Sequence, residues 1–106
     1  MSATGFSTIS DIKRANVAAG HHFFDASSLR FFRSEILPTV YGGRYFVTSE
    51  QFVGSDGSAE TRRYTVRSVS EDGTAIDTVG EFQQYATVGQ ARAAAKAVAL
   101  FGRVLP

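Results

Sequence analysis

RRYTVRSVSEDGTAIDTVGEF, residues 62–82, decides the fold. On both sides of an acidic, glycine-bearing turn, β-branched and aromatic residues alternate with polar ones, the pattern of a β-hairpin with one buried face. The length of the turn matters most, because a slip of one residue moves every side chain to the opposite face. A two-residue loop at Asp72-Gly73 puts Arg63 on the same face as Phe82. A three-residue loop, Glu71-Asp72-Gly73 with Gly73 left-handed, groups Tyr64, Val66, Ile76 and Phe82 on one face. It sets Arg67 opposite Asp77 and Arg63 opposite Glu81 on the other. Only the second register pairs charges consistently, and it is the expectation.

Upstream, RYFVTSEQF supplies a third strand of the same character. The expected sheet is three-stranded and antiparallel, with strands near 44–52, 61–69 and 75–83. GSDGSAE, residues 54–60, joins the first pair as a longer, mobile loop. Downstream, a helix runs from Val88 to about Phe101. Thr87 and Gln90 have the spacing of a capping box, and Gly102 ends the helix in the left-handed region. Before the sheet, STISDIKRANVAAG (7–20) reads as a helix capped by Ser7 or Thr8, with Ile9, Ile12 and Ala19 on one face and Gly20 as its stop. Residues 21–24 are extended. Asp25 caps a second helix, ASSLRFFRSEIL, with Phe24 and Leu29 as a hydrophobic staple, and Pro38 closes it. The sum is one α+β domain, 1–106, with a flexible tail at 1–6: a three-stranded antiparallel sheet with N-terminal helices and a C-terminal helix packed on one face.

Composition narrows the function. Net charge is +1, from 11 basic and 10 acidic residues. A dedicated nucleic-acid binder carries a basic excess, because phosphate contacts supply most of its affinity. An acidic nucleic-acid mimic is excluded by the same balance. With no cysteine, disulfides, thiolate zinc sites and cysteine nucleophiles fall away. No apolar run reaches a membrane span, and MSATGFSTIS lacks the pattern of a signal peptide. The expectation is a cytoplasmic protein with no membrane partner.

His21 and His22 are the only histidines. Adjacent residues of an extended segment point to opposite sides, so the pair cannot easily chelate one ion, and zinc needs three or four ligands. No metal is expected. Serine, histidine and aspartate are all present, but no nucleophile-elbow signature accompanies them. YGGRY and VGSDGS match neither a phosphate-binding loop nor a dinucleotide fingerprint. No catalytic residue and no cofactor are expected, and the chain reads as a non-enzyme.

GHHFF (20–24), LRFFRSE (29–35), GGRYFVTSEQF (42–52), RRYTVR (62–67) and IDTVGEFQQY (76–85) resemble a family of small proteins of bacteriophages and of phage-derived or plasmid regions of bacterial genomes. The resemblance runs from about Ile9 to Ala95. It implies an accessory protein of a mobile element, a class that often acts by binding and inhibiting or redirecting a host protein, host-defence factors included. It brings no catalytic residues.

Two binding surfaces follow from the residues. Leu29, Phe32 and Ile36 recur at i, i+3 and i+7 and face the core of the second helix, whereas Phe31 lies about 100° round from Phe32. Two arrangements stay open: all four phenylalanines are buried, or Phe31 or Phe23, beside Arg30 and Arg33, is the exposed contact for a host protein or a second copy of the chain, since aromatic and arginine side chains are favoured at interfaces. The alternative is a nucleic-acid surface made of Arg44, Arg62, Arg63 and Arg67 on the sheet with Arg92 and Lys96 on the last helix, interleaved with tyrosine and phenylalanine.

Overall fold

The computed structural model describes residues 5–31 and 33–102, with the side chain of Phe31 outside that description. Its elements are α1 (Ile9–Ala18), α2 (Ala26–Phe31), β1 (Glu35–Ile36), β2 (Tyr45–Glu50), β3 (Arg63–Val69), β4 (Ile76–Val79) and α3 (Val88–Phe101). The four strands form an antiparallel meander in the order β1-β2-β3-β4. The class is α+β as expected, but the sheet has a fourth strand and its helices are divided between the two faces.

The division follows from the pleat, because neighbouring residues of a strand point to opposite sides. Val47 and Val66 meet Ala91, Ala94, Ala95 and Val98 of α3 on one face. Phe46 and Val69 meet Ile12 of α1 and Phe24 on the other. Phe6, Ile9, Phe23 and Ile76 pack against this second cluster, and the Phe6 N–H donates to the Gly43 carbonyl at 2.8 Å. Residues 1–4 of the expected tail lie outside the described residues.

β1 occupies sequence expected to be helical. α2 ends at Phe31, Arg33 takes φ 49°, and the Ser34 N–H returns to the Leu29 carbonyl at 2.6 Å. Glu35 and Ile36 then pair with Ser49 and Thr48 of β2. The adjacent Ile36 and Leu37 pack into opposite clusters. Only an extended backbone sends neighbours to opposite sides, and Pro38 favours that geometry in the residue before it. Phe32 and its expected core role lie outside the described residues.

The β3–β4 register also departs from expectation. Val69 pairs with Ile76, Ser68 with Asp77, Arg67 with Thr78 and Val66 with Val79. The loop holds four residues, 71–74, because Ser70 N–H donates to the Ala75 carbonyl. Gly73 is left-handed as expected, at φ 82°. Asp72 adds the fourth residue: its Oδ1 accepts from the Thr74 N–H (3.0 Å), the Thr74 hydroxyl (2.8 Å) and the Ser70 hydroxyl (2.8 Å). This side-chain-to-backbone bonding draws Thr74 into the turn. Every side chain of β4 consequently changes face. Tyr64 and Val66 remain under α3, but Ile76 joins Val69 on the other side, and neither expected charge pair forms. β4 stops at Val79, where Gly80 turns at φ 78°, so Phe82 leaves the sheet.

α1 docks onto this turn. Asn16, 1% exposed, donates from Nδ2 to the Gly73 carbonyl at 3.1 Å. A Cβ on Gly73 would stand 2.5 Å from the Ala15 Cβ. The helix caps agree with the sequence: Thr8 accepts from the Asp11 N–H, the Thr87–Gln90 capping box closes α3, and Gly102 ends it at φ 74°.

The Asp72 carboxyl is held down to about 2 by the hydrogen bonds from Thr74 and Ser70. A depressed acid stabilises the fold above its unfolded value and loses that contribution as pH falls through the folded one. The stability gap between wild type and Asp72→Asn should therefore be constant above pH about 4 and close between about 4 and 2. Urea titrations across that range measure it; a gap independent of pH would contradict the turn geometry.

Candidate functional site

Glu50, the last residue of β2, is fully buried. It projects from the same face as Phe46 and Thr48, away from α3, and the register sets Thr65 and Arg67 beside it. A carboxylate without solvent needs donors on each oxygen. Thr65 donates to Oε1 at 2.7 Å. Thr48 donates to Oε2, which also receives Arg67 Nη2 at 3.2 Å. The Arg67 guanidinium continues the network, with Nε on the Thr48 hydroxyl at 3.0 Å and Nη1 on the Thr78 hydroxyl at 2.7 Å. The pairing of Arg67 with Thr78 thus depends on the four-residue turn described above.

Two rings enclose the cation. The Arg67 Cζ lies 5.6 Å from the centre of Phe23 and 5.5 Å from that of Phe82. Such contacts contribute roughly 0.5–2 kcal/mol, more as water is excluded. Phe82 reaches this position because the chain turns beyond Gly80. Gln83, at φ 57°, secures that turn by donating its N–H to the Thr65 hydroxyl at 2.8 Å and its side-chain amide to the Glu50 carbonyl at 3.2 Å.

Over this floor opens a cleft of about 410 Å³, with Arg67, Glu50 and Thr48 at its base and Phe23, Leu29, Phe82 and His22 among its walls. Its outer edge is apolar: Phe82 is 39% exposed, and Phe52, 40% exposed, meets it edge to face at 6.4 Å. Chemically the cleft can bind and orient. Both carboxylate oxygens of Glu50 are occupied by donors rather than presented to a substrate. His22 Nδ1 lies 2.8 Å from Asp25 Oδ2, but among the described residues no serine hydroxyl bonds to its ring. Among the described residues no group of three or more metal-ligating side chains comes together.

Of the expected partner-binding residues, the structure brings Phe23 to the cleft, half-buried against Phe24 and Phe46. Arg30 and Arg33 are exposed, and Arg33 donates to Gln51 Oε1 at 3.5 Å. The side chain of Phe31 lies outside the described residues. Of the alternative set, Arg62, Arg63 and Arg67 are occupied internally. Arg62 reaches the Arg33 carbonyl (2.8 Å), the Ser49 hydroxyl (2.9 Å) and Glu35 (3.6 Å). Arg63 serves the carbonyls of Gln83 and Gln84 instead of Glu81, Arg67 serves Glu50 instead of Asp77, and Arg44 lies 3.9 Å from Glu71. Arg92 and Lys96 stand apart on α3. Glu50, Thr48, Thr65 and Gln83 escaped the sequence reading. The one signal of the three strand residues is polar side chains at alternate positions of β2 and β3, which is also the signature of a solvated face; Gln83 lies beyond β4 and gives none.

Fold and site together define a class of small α+β proteins: an antiparallel meander with helices on both faces and a polar cleft at one end. The chain belongs to the family of unknown function DUF7447, whose model matches residues 8–96. No curated protein and no solved structure matches it. Among the described residues no helix is long and apolar enough to cross a membrane.

Removing one member of a buried pair strands the other, at about 3–5 kcal/mol. Arg67→Ala should cost that much in urea unfolding and markedly less in a Glu50→Gln background, where no charge is left behind. Equal costs in the two backgrounds would mean that Arg67 does not serve Glu50.

Proposed function

We propose that the chain is a non-enzymatic binding module that grips a protein partner through the cleft face, as an accessory protein of a mobile element acting on a host protein or host-defence factor. The observation that carries this reading is the apolar edge of the cleft. Phe52 and Phe82 are large, partly exposed and held in place, and Arg30 and Arg33 are exposed on the neighbouring segment. Rigid aromatics beside arginines form the composition in which binding energy concentrates. Occupied polar groups on the cleft floor favour recognition over chemistry. The internal duties of Arg62, Arg63 and Arg67 weigh against a sheet surface for nucleic acid, since a phosphate would have to displace each existing acceptor. The resemblance to phage and plasmid proteins supplies the biological setting.

The test is capture from nuclease-treated host lysate, identification by crosslinking and mass spectrometry, and reconstitution with the purified partner. Phe82→Ala, and Arg30→Glu combined with Arg33→Glu, should each weaken binding by about tenfold or more, equivalent to 1.4 kcal/mol, while circular dichroism stays unchanged. Capture that vanishes with nuclease, or a steep salt-dependent affinity for DNA or RNA, would overturn the reading in favour of the nucleic-acid alternative.

A further inference from the structure

We infer that the outer face of α3 is a second docking surface, distinct from the cleft face, and that its occupant is an acidic amphipathic helix of a protein partner. α3 buries Ala91, Ala94, Ala95 and Val98 against the sheet. Its opposite side lines a groove of about 550 Å³ with Gly89, Arg92, Ala93, Lys96 and Leu100. Leu100 is 71% exposed and Phe101 62%, well above the other exposed large hydrophobics of the described residues. Two such side chains at one end of a groove are costly to leave in water and mark a contact surface.

Charge selects the occupant. From residue 82 onward the sequence carries Arg92, Lys96 and Arg103 and no acidic residue. Among the described residues neither Arg92 nor Lys96 forms an ion pair, whereas Arg44, Arg62 and Arg67 all do. Arg92 is fixed at the groove edge by its Nε, which donates to the Tyr41 hydroxyl at 3.2 Å. Arg92 and Lys96 stand one helical turn apart, so carboxylates one turn apart on a partner helix would face both. The small side chains between them admit a helix at the usual packing distance, about 8–10 Å between axes. That is the helix-in-groove mode, with apolar anchors toward Leu100 and acids toward the two cations.

Other occupants fit less well. A second copy would set Arg92 and Lys96 against their own kind, because α3 has no acid to answer them. Duplex nucleic acid would meet two cations and an apolar floor that phosphates cannot use. An anionic membrane would satisfy the charges and Leu100, but not the concave shape.

The probes are two helical peptides of about four turns, identical in a leucine stripe and flanked by glutamates in one and lysines in the other, read by fluorescence anisotropy against the intact protein. Duplex DNA and anionic phospholipid vesicles form further arms, and sedimentation reports self-association. The glutamate peptide should bind about tenfold or more tighter than the lysine peptide. Arg92→Glu with Lys96→Glu should invert that preference, and Leu100→Ser should weaken both peptides. All these positions are exposed, so the variants keep the fold. Absence of a preference, failure to invert it, tighter binding to DNA or vesicles, or a dimer abolished by Leu100→Ser would each overturn the proposal. Binding to DNA would count against both readings; the peptide, vesicle and dimer outcomes bear on α3 alone, because the cleft variants lie on the other face of the sheet.

Discussion

A carboxylate that no water reaches governs this molecule. Glu50 is fully buried at the end of a strand, and each of its oxygens must be answered from within the protein. Two threonine hydroxyls and one guanidinium do so, and each donor sits on a strand whose register must be correct to deliver it. A slip of one residue on β3 would turn Thr65 and Arg67 to the opposite face. A slip on β4 would withdraw Thr78 from Arg67. The pair therefore penalises wrong registers more than it stabilises the right one. Apolar residues of similar volume often serve stability as well as a buried ion pair does, so conformational uniqueness is the better physical account of its presence.

The two faces of the sheet are built on different principles. Under α3 the contact is apolar and close, made by alanines and valines that let helix and sheet approach. On the other face an aromatic cluster around Phe46 occupies one end and the Glu50–Arg67 network the other, with Phe23 touching both. α1 holds the aromatic end in place by hydrogen-bonding the Gly73 carbonyl, so the turn that sets the β4 register is also a docking point for the first helix. Turn, register, ion pair and cleft form one connected arrangement, and the rim aromatics inherit their positions from it.

Where local chemistry decides, the sequence was legible. The α3 caps at Thr87, Gln90 and Gly102, the Thr8 cap of α1 and the strand character of β2, β3 and β4 all follow from nearest-neighbour physics. Where a side chain overrides the backbone pattern, it was not. Asp72 lengthens a turn that its glycine alone would have closed in three residues. Ile36 continues the helical spacing of Leu29 and Phe32 in the sequence, yet the open edge of β2 recruits Glu35 and Ile36 as a strand. Of the cleft, only Phe23 is among the contact residues that the sequence suggests, and Arg30 and Arg33 lie outside its lining; Glu50 is hidden because a buried acid in YFVTSE looks the same as a solvated one. Its partner Arg67 was visible but assigned to the wrong carboxylate, a direct consequence of the one-residue error in register.

Arg67 is enclosed between Phe23 and Phe82 and bonded to Glu50. Nitrogen-resolved NMR of the arginine side chains tests this arrangement most directly. The Arg67 Nε–H should exchange slowly with water, show nuclear Overhauser contacts to the rings of both phenylalanines, and be shifted upfield by their ring currents, while the exposed Arg30 exchanges fast. An Arg67 signal that exchanges as fast as that of Arg30, with no contact to either ring, would contradict the account.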